Sequence, residues 1–273
     1  MRNCIYPVVG GNFHKNKLVM KGKFKKIALR TIYSSVALLF LIAIMFLNPQ
    51  FLFAEKKVYK TYTIYSNDVL PDNYLATLDY AIEIVKTSEI YEPNHRFDLF
   101  ICNESFYNDI DSKLLGQAQA RCVHNNILLK GPVDFENNTL IAWNSKRNLK
   151  RTIAHEAMHF YQMKKIGILQ FNPLVHPPIW KVEGYPEYIA YSDERKSDRY
   201  DLKESISRII EFEKTGEFWF ASEPGQLDPL VYYKGRIMME YLIDIKGLTY
   251  SDILKDSVTD DIVFSEMISW VNK

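Results

Sequence analysis

Apolar positions fall into three regimes along the chain. From Thr31 to Phe53 (TIYSSVALLFLIAIMFLNPQFLF) they run almost unbroken and without a charge. About 20 such residues cross the hydrocarbon core of a bilayer as a helix, so the run predicts one transmembrane segment, taken as residues 31–54. From Tyr59 to Trp143 the pattern is short. Tyr59–Tyr65, Arg96–Cys102, Asn125–Leu129 and Thr139–Trp143 are apolar, often β-branched or aromatic, and predict strands. Pro71 opens a helix reaching about Thr87, with Leu75, Leu78, Ile82 and Val85 on one stripe, and Glu104–Leu115 predicts a second.

Beyond Lys150 the helical period takes over. Helices are expected at Lys150–Lys164, Trp180–Tyr191, Asp198–Glu213, Tyr232–Ile245, Tyr250–Asp256 and Asp260–Val271. Asn172–Pro178 reads as a loop and Pro224–Pro229 as a turn-rich break. Strands first and helices later predict an α+β domain. No linker or repeat interrupts residues 55–273, which are taken as one domain. The Thr139–Trp143 strand is a candidate open edge for an extended peptide.

Charge sharpens the division. Residues 1–54 carry 8 of the 34 basic residues and none of the 33 acidic ones, so the remainder has a net charge of −7. An acidic body argues against a nucleic-acid groove. The basic residues precede the apolar run, and the positive-inside bias then places residues 1–30 in the cytoplasm and the body outside it. A cleavable signal peptide ending at Ala54 is the alternative. The long basic leader and Leu52 at the −3 position favour a retained signal anchor. Cys102 and Cys122 would then face an environment where a disulfide persists, while Cys4 would not.

Residues 155–159 read His-Glu-Ala-Met-His within the expected helix Lys150–Lys164. The i,i+4 spacing puts both imidazoles on one face, one turn apart, where they can hold a single zinc ion. Glu156 sits beside the first, close enough to take a proton from a water activated by the ion. Apolar Ile153, Ala154, Ala157, Met158 and Phe160 surround the motif, which suits a buried helix better than a solvated one. A catalytic zinc usually has a third protein ligand. His176, Glu183 and Glu187 are the downstream candidates, and Glu183 is the best placed, near the start of a helix 24 residues after His159.

His155–His159 followed by Trp180-Lys181-Val182-Glu183-Gly184 resembles the gluzincin zinc metallopeptidases, above all their peptidase MA-like domains, with a distant resemblance to the M1 aminopeptidases. The resemblance covers roughly Ile153 to Gly247 and implies a zincin-like fold with Glu183 as third zinc ligand. Tyr188 matches the tyrosine of the E-G-x-A-x-Y motif. Tyr232-Tyr233-Lys234-Gly235 is similar to a Y-x-K-G segment opening a late helix, which implies that Tyr232 stabilises the oxyanion. Glu187, one turn past Glu183, is expected to orient a zinc-bound histidine. Two departures stand out. Pro186 replaces the usual alanine, so the helix is expected to begin near Glu183 or to displace it. The G-x-M-x-N segment by which M1 enzymes hold a free N-terminus is not found.

The expected function is therefore zinc-dependent hydrolysis of a peptide or protein, most simply as an endopeptidase, at the outer surface of a membrane. The rival is a catalytically inactive, membrane-anchored binding or scaffold protein on the same fold.

Overall fold

The computed structural model describes residues 12–273 apart from 104, 143–144, 173–174 and 224. The expectations for Cys4, Glu104, Trp143 and Pro224 fall outside the described residues. The chain divides into two compact units, Met1–Phe51 and Leu52–Lys273.

The first unit contains one long helix, α1 (Asn12–Leu47). Within it Lys26–Met45, 20 residues of mean hydropathy 2.1, are long and apolar enough to cross a membrane, and none of that stretch is buried. The helix stops short of residue 54. Asn48 precedes Pro49, and a residue before proline is pushed out of the helical region; a short 3-10 turn follows at Pro49–Leu52.

The second unit is α+β. It opens with β1 (Glu55–Tyr59) and β2 (Tyr62–Ser66), an antiparallel hairpin where one strand was expected. Lys60, at φ 50°, turns the chain between them. Helix α2 (Tyr74–Val85) leads to β3 (Phe97–Ile101), parallel to β2, and α3 (Phe106–Leu115) starts at Ser105, whose hydroxyl accepts from the Asn108 amide at 3.2 Å. Strands β4 (Ala120–Val123) and β5 (Asn126–Leu129) complete a five-stranded sheet of order β1-β2-β3-β5-β4. Its core side chains, among them Leu99, Ile127 and Leu129, are fully buried.

Three short strands follow, β6 (Val133–Asp134), β7 (Thr139–Ala142) and β8 (Ser145–Asn148). β7 is the middle strand of this second sheet, paired on both sides, so it offers no open edge. The strand that ends a sheet beside the later site is β4 instead. Asn148 caps α4 (Leu149–Ile166) by accepting from the Arg151 amide, and Gly167, at φ 96°, ends it.

The remainder comprises α5 (Ile179–Ala190), α6 (Leu202–Glu213), β9 (Trp219–Glu223), β10 (Gln226–Pro229), α7 (Leu230–Glu240), α8 (Tyr250–Ile253) and α9 (Asp260–Val271). Two expectations change here. Helix α6 begins at Leu202, four residues later than expected, because Asp201 caps it through the amides of Lys203 and Glu204. The expected break at Pro224–Pro229 is half of a β-hairpin, with Gly225 at φ 80°. This hairpin is fastened to β8 by the Ser145 hydroxyl, which accepts from the Leu227 amide at 3.1 Å. Helix α7 runs to Glu240 and continues as a π turn, Tyr241–Ile245.

Candidate metal centre

The central helix α4 packs against α2, α5 and the edge strand β4. Its apolar face (Ile153, Ala154, Ala157, Met158) is fully buried, which fixes the helix's rotation and turns His155 and His159 toward α5. The two Nε2 atoms lie 3.1 Å apart. Glu183 Oε2, from α5, lies 3.3 Å from His155 Nε2 and 3.5 Å from His159 Nε2. A zinc ion at about 2.0–2.1 Å from three tetrahedral donors separates them by roughly 3.3–3.4 Å. The three side chains therefore form a cluster able to hold a metal ion, and its spacing and its two-imidazole, one-carboxylate donor set fit zinc.

The charges agree with that spacing. Burial opposes a charge on His155, but Glu187 and then Glu183 overturn it and hold the imidazolium pKa up to about 10. Burial likewise opposes, and Glu183 outweighs, a charge on His159, whose pKa is raised. Burial works against the Glu183 carboxylate too, yet His159 and His155 hold it well below the usual carboxylate range. Two imidazoles and a carboxylate so arranged favour positive charge between them, and a metal ion bound there would displace any proton on the ligating nitrogens.

Glu187 sits one turn beyond Glu183 and is almost fully buried. Its Oε1 is 3.1 Å from His155 Nδ1, an ion-pair contact not aligned as a hydrogen bond, and accepts from Arg147 Nη2 at 2.9 Å. The same Arg147 nitrogen lies 3.0 Å from Asp228 Oδ1 on β10. Burial alone would raise the Glu187 pKa, but His155, then Arg147 and Arg236, bring it down to about 2. On the other histidine, Nδ1 of His159 is 2.9 Å from Oε1 of Gln162, a side chain with no exposed surface.

Helix α5 does not begin near Glu183. It starts at Ile179, with Pro186 inside it, and Glu183 still reaches both imidazoles. Pro186 has no N–H for the carbonyl of Val182, four residues back. That carbonyl accepts from Gln162 Nε2 at 3.0 Å instead, so the gap in the helix ladder is filled from α4.

The other face of α5 meets α7 backbone to backbone. A Cβ on Gly184 would stand 2.6 Å from the carbonyl carbon and oxygen of Gly235, and one on Gly235 would stand 2.9 Å from the Trp180 oxygen. Both glycines are needed for this approach, which carries Tyr232, in the first turn of α7, to the cluster. Its ring lies parallel to that of His155, centroids 6.3 Å apart. Burial and the nearby Glu183 push the Tyr232 hydroxyl pKa far up, so it stays a hydrogen-bond donor. Tyr188 points elsewhere and donates to Asp244 Oδ1 at 2.8 Å.

The cluster floors a cleft of about 380 Å³. Glu156 and Tyr232 line it, with Ala120–Cys122 of β4 along one wall and Phe171, Val182, Trp219 and Leu227 supplying apolar surface. His176 is exposed, its Nδ1 against the Pro177 carbonyl, and takes no part. Cys102 and Cys122 are free thiols.

Three residues around the cluster were not anticipated. Gln162 follows His159 by three, a spacing that shares its helix face and was readable. Arg147 and Asp228 come from strands too short and polar to signal a site. No protein-family model matches the chain, and no curated protein matches it. The assignment of a role therefore rests on the cluster and its surroundings.

Proposed function

We propose that the chain is a membrane-anchored zinc metallopeptidase of the gluzincin, peptidase MA-like kind. The basic segment within residues 1–30 would be cytoplasmic. The anchor in the bilayer would be the apolar part of α1, which ends at Leu47 rather than at residue 54, and 55–273 would form a zincin-like catalytic domain on the other side of the membrane. The observation that carries this reading is the convergence of His155, His159 and Glu183, with donor atoms 3.1–3.5 Å apart, in a cleft that Glu156 and Tyr232 also line.

Zinc, when bound by those three residues, supplies a Lewis acid that polarises a scissile carbonyl and acidifies water. Glu156 takes the proton of the attacking water on its carboxylate and passes it to the leaving amine. The Tyr232 hydroxyl donates to the carbonyl oxygen as that atom becomes negative, when such a bond contributes most. Glu187, backed by Arg147, keeps the His155 ring turned toward the cluster. The end strand β4 gives an extended peptide a backbone to pair with, and the apolar wall receives its side chains. Cleavage within a peptide suits a chain lacking the M1 segment that grips a free N-terminus. Nothing in this scheme involves nucleic acid.

The test is metal analysis of the full chain in detergent, beside a mixed-peptide cleavage assay of the native protein and Glu156→Gln. Zinc content should match in both, while turnover should fall by at least about 100-fold in the variant. Equal cleavage by the two proteins would sink the assignment of Glu156. Zinc binding without cleavage of any peptide by the native chain would point to the scaffold reading.

A further inference from the structure

We infer that Gln162 is a positioning residue for the metal centre: it fixes which nitrogen of His159 carries the proton and ties that ligand to the helix bearing Glu183. The inference deepens the metallopeptidase reading and rests on it for the identity of the ion.

A glutamine amide has one end that only accepts and one that only donates. Gln162 has no exposed surface, so water cannot relax these demands. Its nitrogen end faces the Val182 carbonyl at 3.0 Å, the Lys181 carbonyl at 3.4 Å and the Tyr250 hydroxyl at 2.7 Å. Carbonyls cannot donate, so the amide cannot flip without setting oxygen against oxygen. Oε1 must then face His159 Nδ1, which it does at 2.9 Å, and because Oε1 only accepts, Nδ1 must carry hydrogen. That leaves the lone pair of a neutral His159 on Nε2, the atom turned toward His155 and Glu183.

The Val182 carbonyl is open to this bond because Pro186, four residues on, has no N–H to offer it. The proline interrupting α5 and the glutamine on α4 are thus two halves of one device. Through the amide, the position of the Glu183 helix and the proton on the His159 ring are set together. Tyr250, stacked on Tyr185 of α5 with ring centroids 4.0 Å apart, closes the nitrogen end.

Gln162→Met, Gln162→Glu and Tyr250→Phe in the full chain in detergent micelles test this. The readouts are zinc affinity, by competition with a chromophoric chelator, and the absorption spectrum of the cobalt-loaded protein. Loss of a partner behind a metal-bound histidine lowers metal affinity by about 10–100-fold, which is the expectation for Gln162→Met, together with an altered cobalt spectrum. Gln162→Glu keeps an acceptor facing Nδ1 and, in its protonated form, a donor facing Val182. It should bind zinc within about tenfold of the native protein. Tyr250→Phe, which removes only the far partner, should change affinity by less than about threefold.

Native zinc affinity and an unchanged cobalt spectrum in Gln162→Met would overturn the inference. So would a loss in Tyr250→Phe equal to that in Gln162→Met, since the amide would then serve packing alone. Should Gln162→Met fail to fold, the glutamate variant decides: a folded Gln162→Glu protein that has lost more than tenfold in affinity overturns it. None of these readouts involves peptide cleavage, so a protein that binds zinc but cuts nothing fails the hydrolase reading and leaves this one standing. A native chain that binds no zinc fails both.

Discussion

Helix α5 is held to its two neighbours by opposite means. Toward α4 the junction is polar: Glu183 reaches both imidazoles, and Gln162 reaches back to the Val182 carbonyl. Toward α7 it is bare backbone, Gly184 on Gly235, with no side chain between. The first junction must set the direction of donor and acceptor atoms, and only hydrogen-bonding groups can do that. The second need only bring α7 close enough to place the Tyr232 ring by His155, and removing side chains achieves it. A metal centre assembled from separate helices needs both kinds of contact, one for orientation and one for distance.

The largest effect is expected from breaking the bare junction. Gly184→Ala sets two rules against each other. Helix propensity alone predicts a gain of about 1 kcal/mol. The added methyl, however, would sit 2.6 Å from the Gly235 carbonyl, and backbone cannot swing aside as a flexible side chain can. Overpacking of this sort costs about 1–3 kcal/mol or more. We expect the clash to win, with the melting temperature lowered by roughly 5 °C or more. Thermal unfolding of the full chain in detergent measures it. A melting temperature at or above that of the native protein would mean that α7 can move off α5 at no cost.

Within the polar junction the two histidines differ in turn. His155 faces the charged chain Glu187–Arg147–Asp228, whereas His159 faces a neutral amide. Glu187→Gln should therefore lower zinc affinity by about 10–100-fold and change its pH dependence. The native His155 pKa lies at about 10, because Glu187 and Glu183 outweigh burial. Below that pH its proton must leave before an ion can bind, so affinity should climb by about tenfold per pH unit for each proton displaced. Removing the Glu187 charge lowers the His155 pKa, and the climb should level off at lower pH in the variant. Zinc titrations at pH 6, 7, 8 and 9 compare the two curves. Parallel curves would show that Glu187 does not govern the His155 proton.

Legibility followed the same divide. The imidazole pair could be read because one helix carries both, and i,i+4 spacing is local. Glu183 was readable as a candidate because tryptophan and glycine accompany it in a motif. Pro186 misled, since local rules place a proline in the first turn, whereas here a neighbouring helix repairs the missing bond. Gln162 shares a helix face with His159, but that spacing alone does not mark it as a partner of the ring. Its second partner, the Val182 carbonyl, belongs to no sequence pattern. Among the strands, β4 (ARCV) and β8 (SKRN) carry little alternation and form because flanking strands or loops fix them. Each is one arm of a tight hairpin, Val123 opposite Asn126 and Ala142 opposite Ser145, so the pairing is local. Four residues with so little apolar pattern, however, carry no strand signal of their own.

The smallest effect sharpens the comparison most, because it concerns one carbonyl. In the native background, Pro186→Ala returns an N–H to α5 just where Gln162 already serves the Val182 oxygen. The gain should therefore fall well short of the roughly 3 kcal/mol that separates proline from alanine inside a helix. In Gln162→Met the same carbonyl is left buried without a donor, a loss of about 1–3 kcal/mol. Pro186→Ala then supplies the only replacement, and its gain should be larger by about 1 kcal/mol than in the native background. Thermal or urea unfolding of the native chain, the two single variants and the double variant closes the cycle. Additivity within about 0.3 kcal/mol would mean that proline and glutamine act independently, and that the coupling of the two ligand-bearing helices runs through the metal ligands alone.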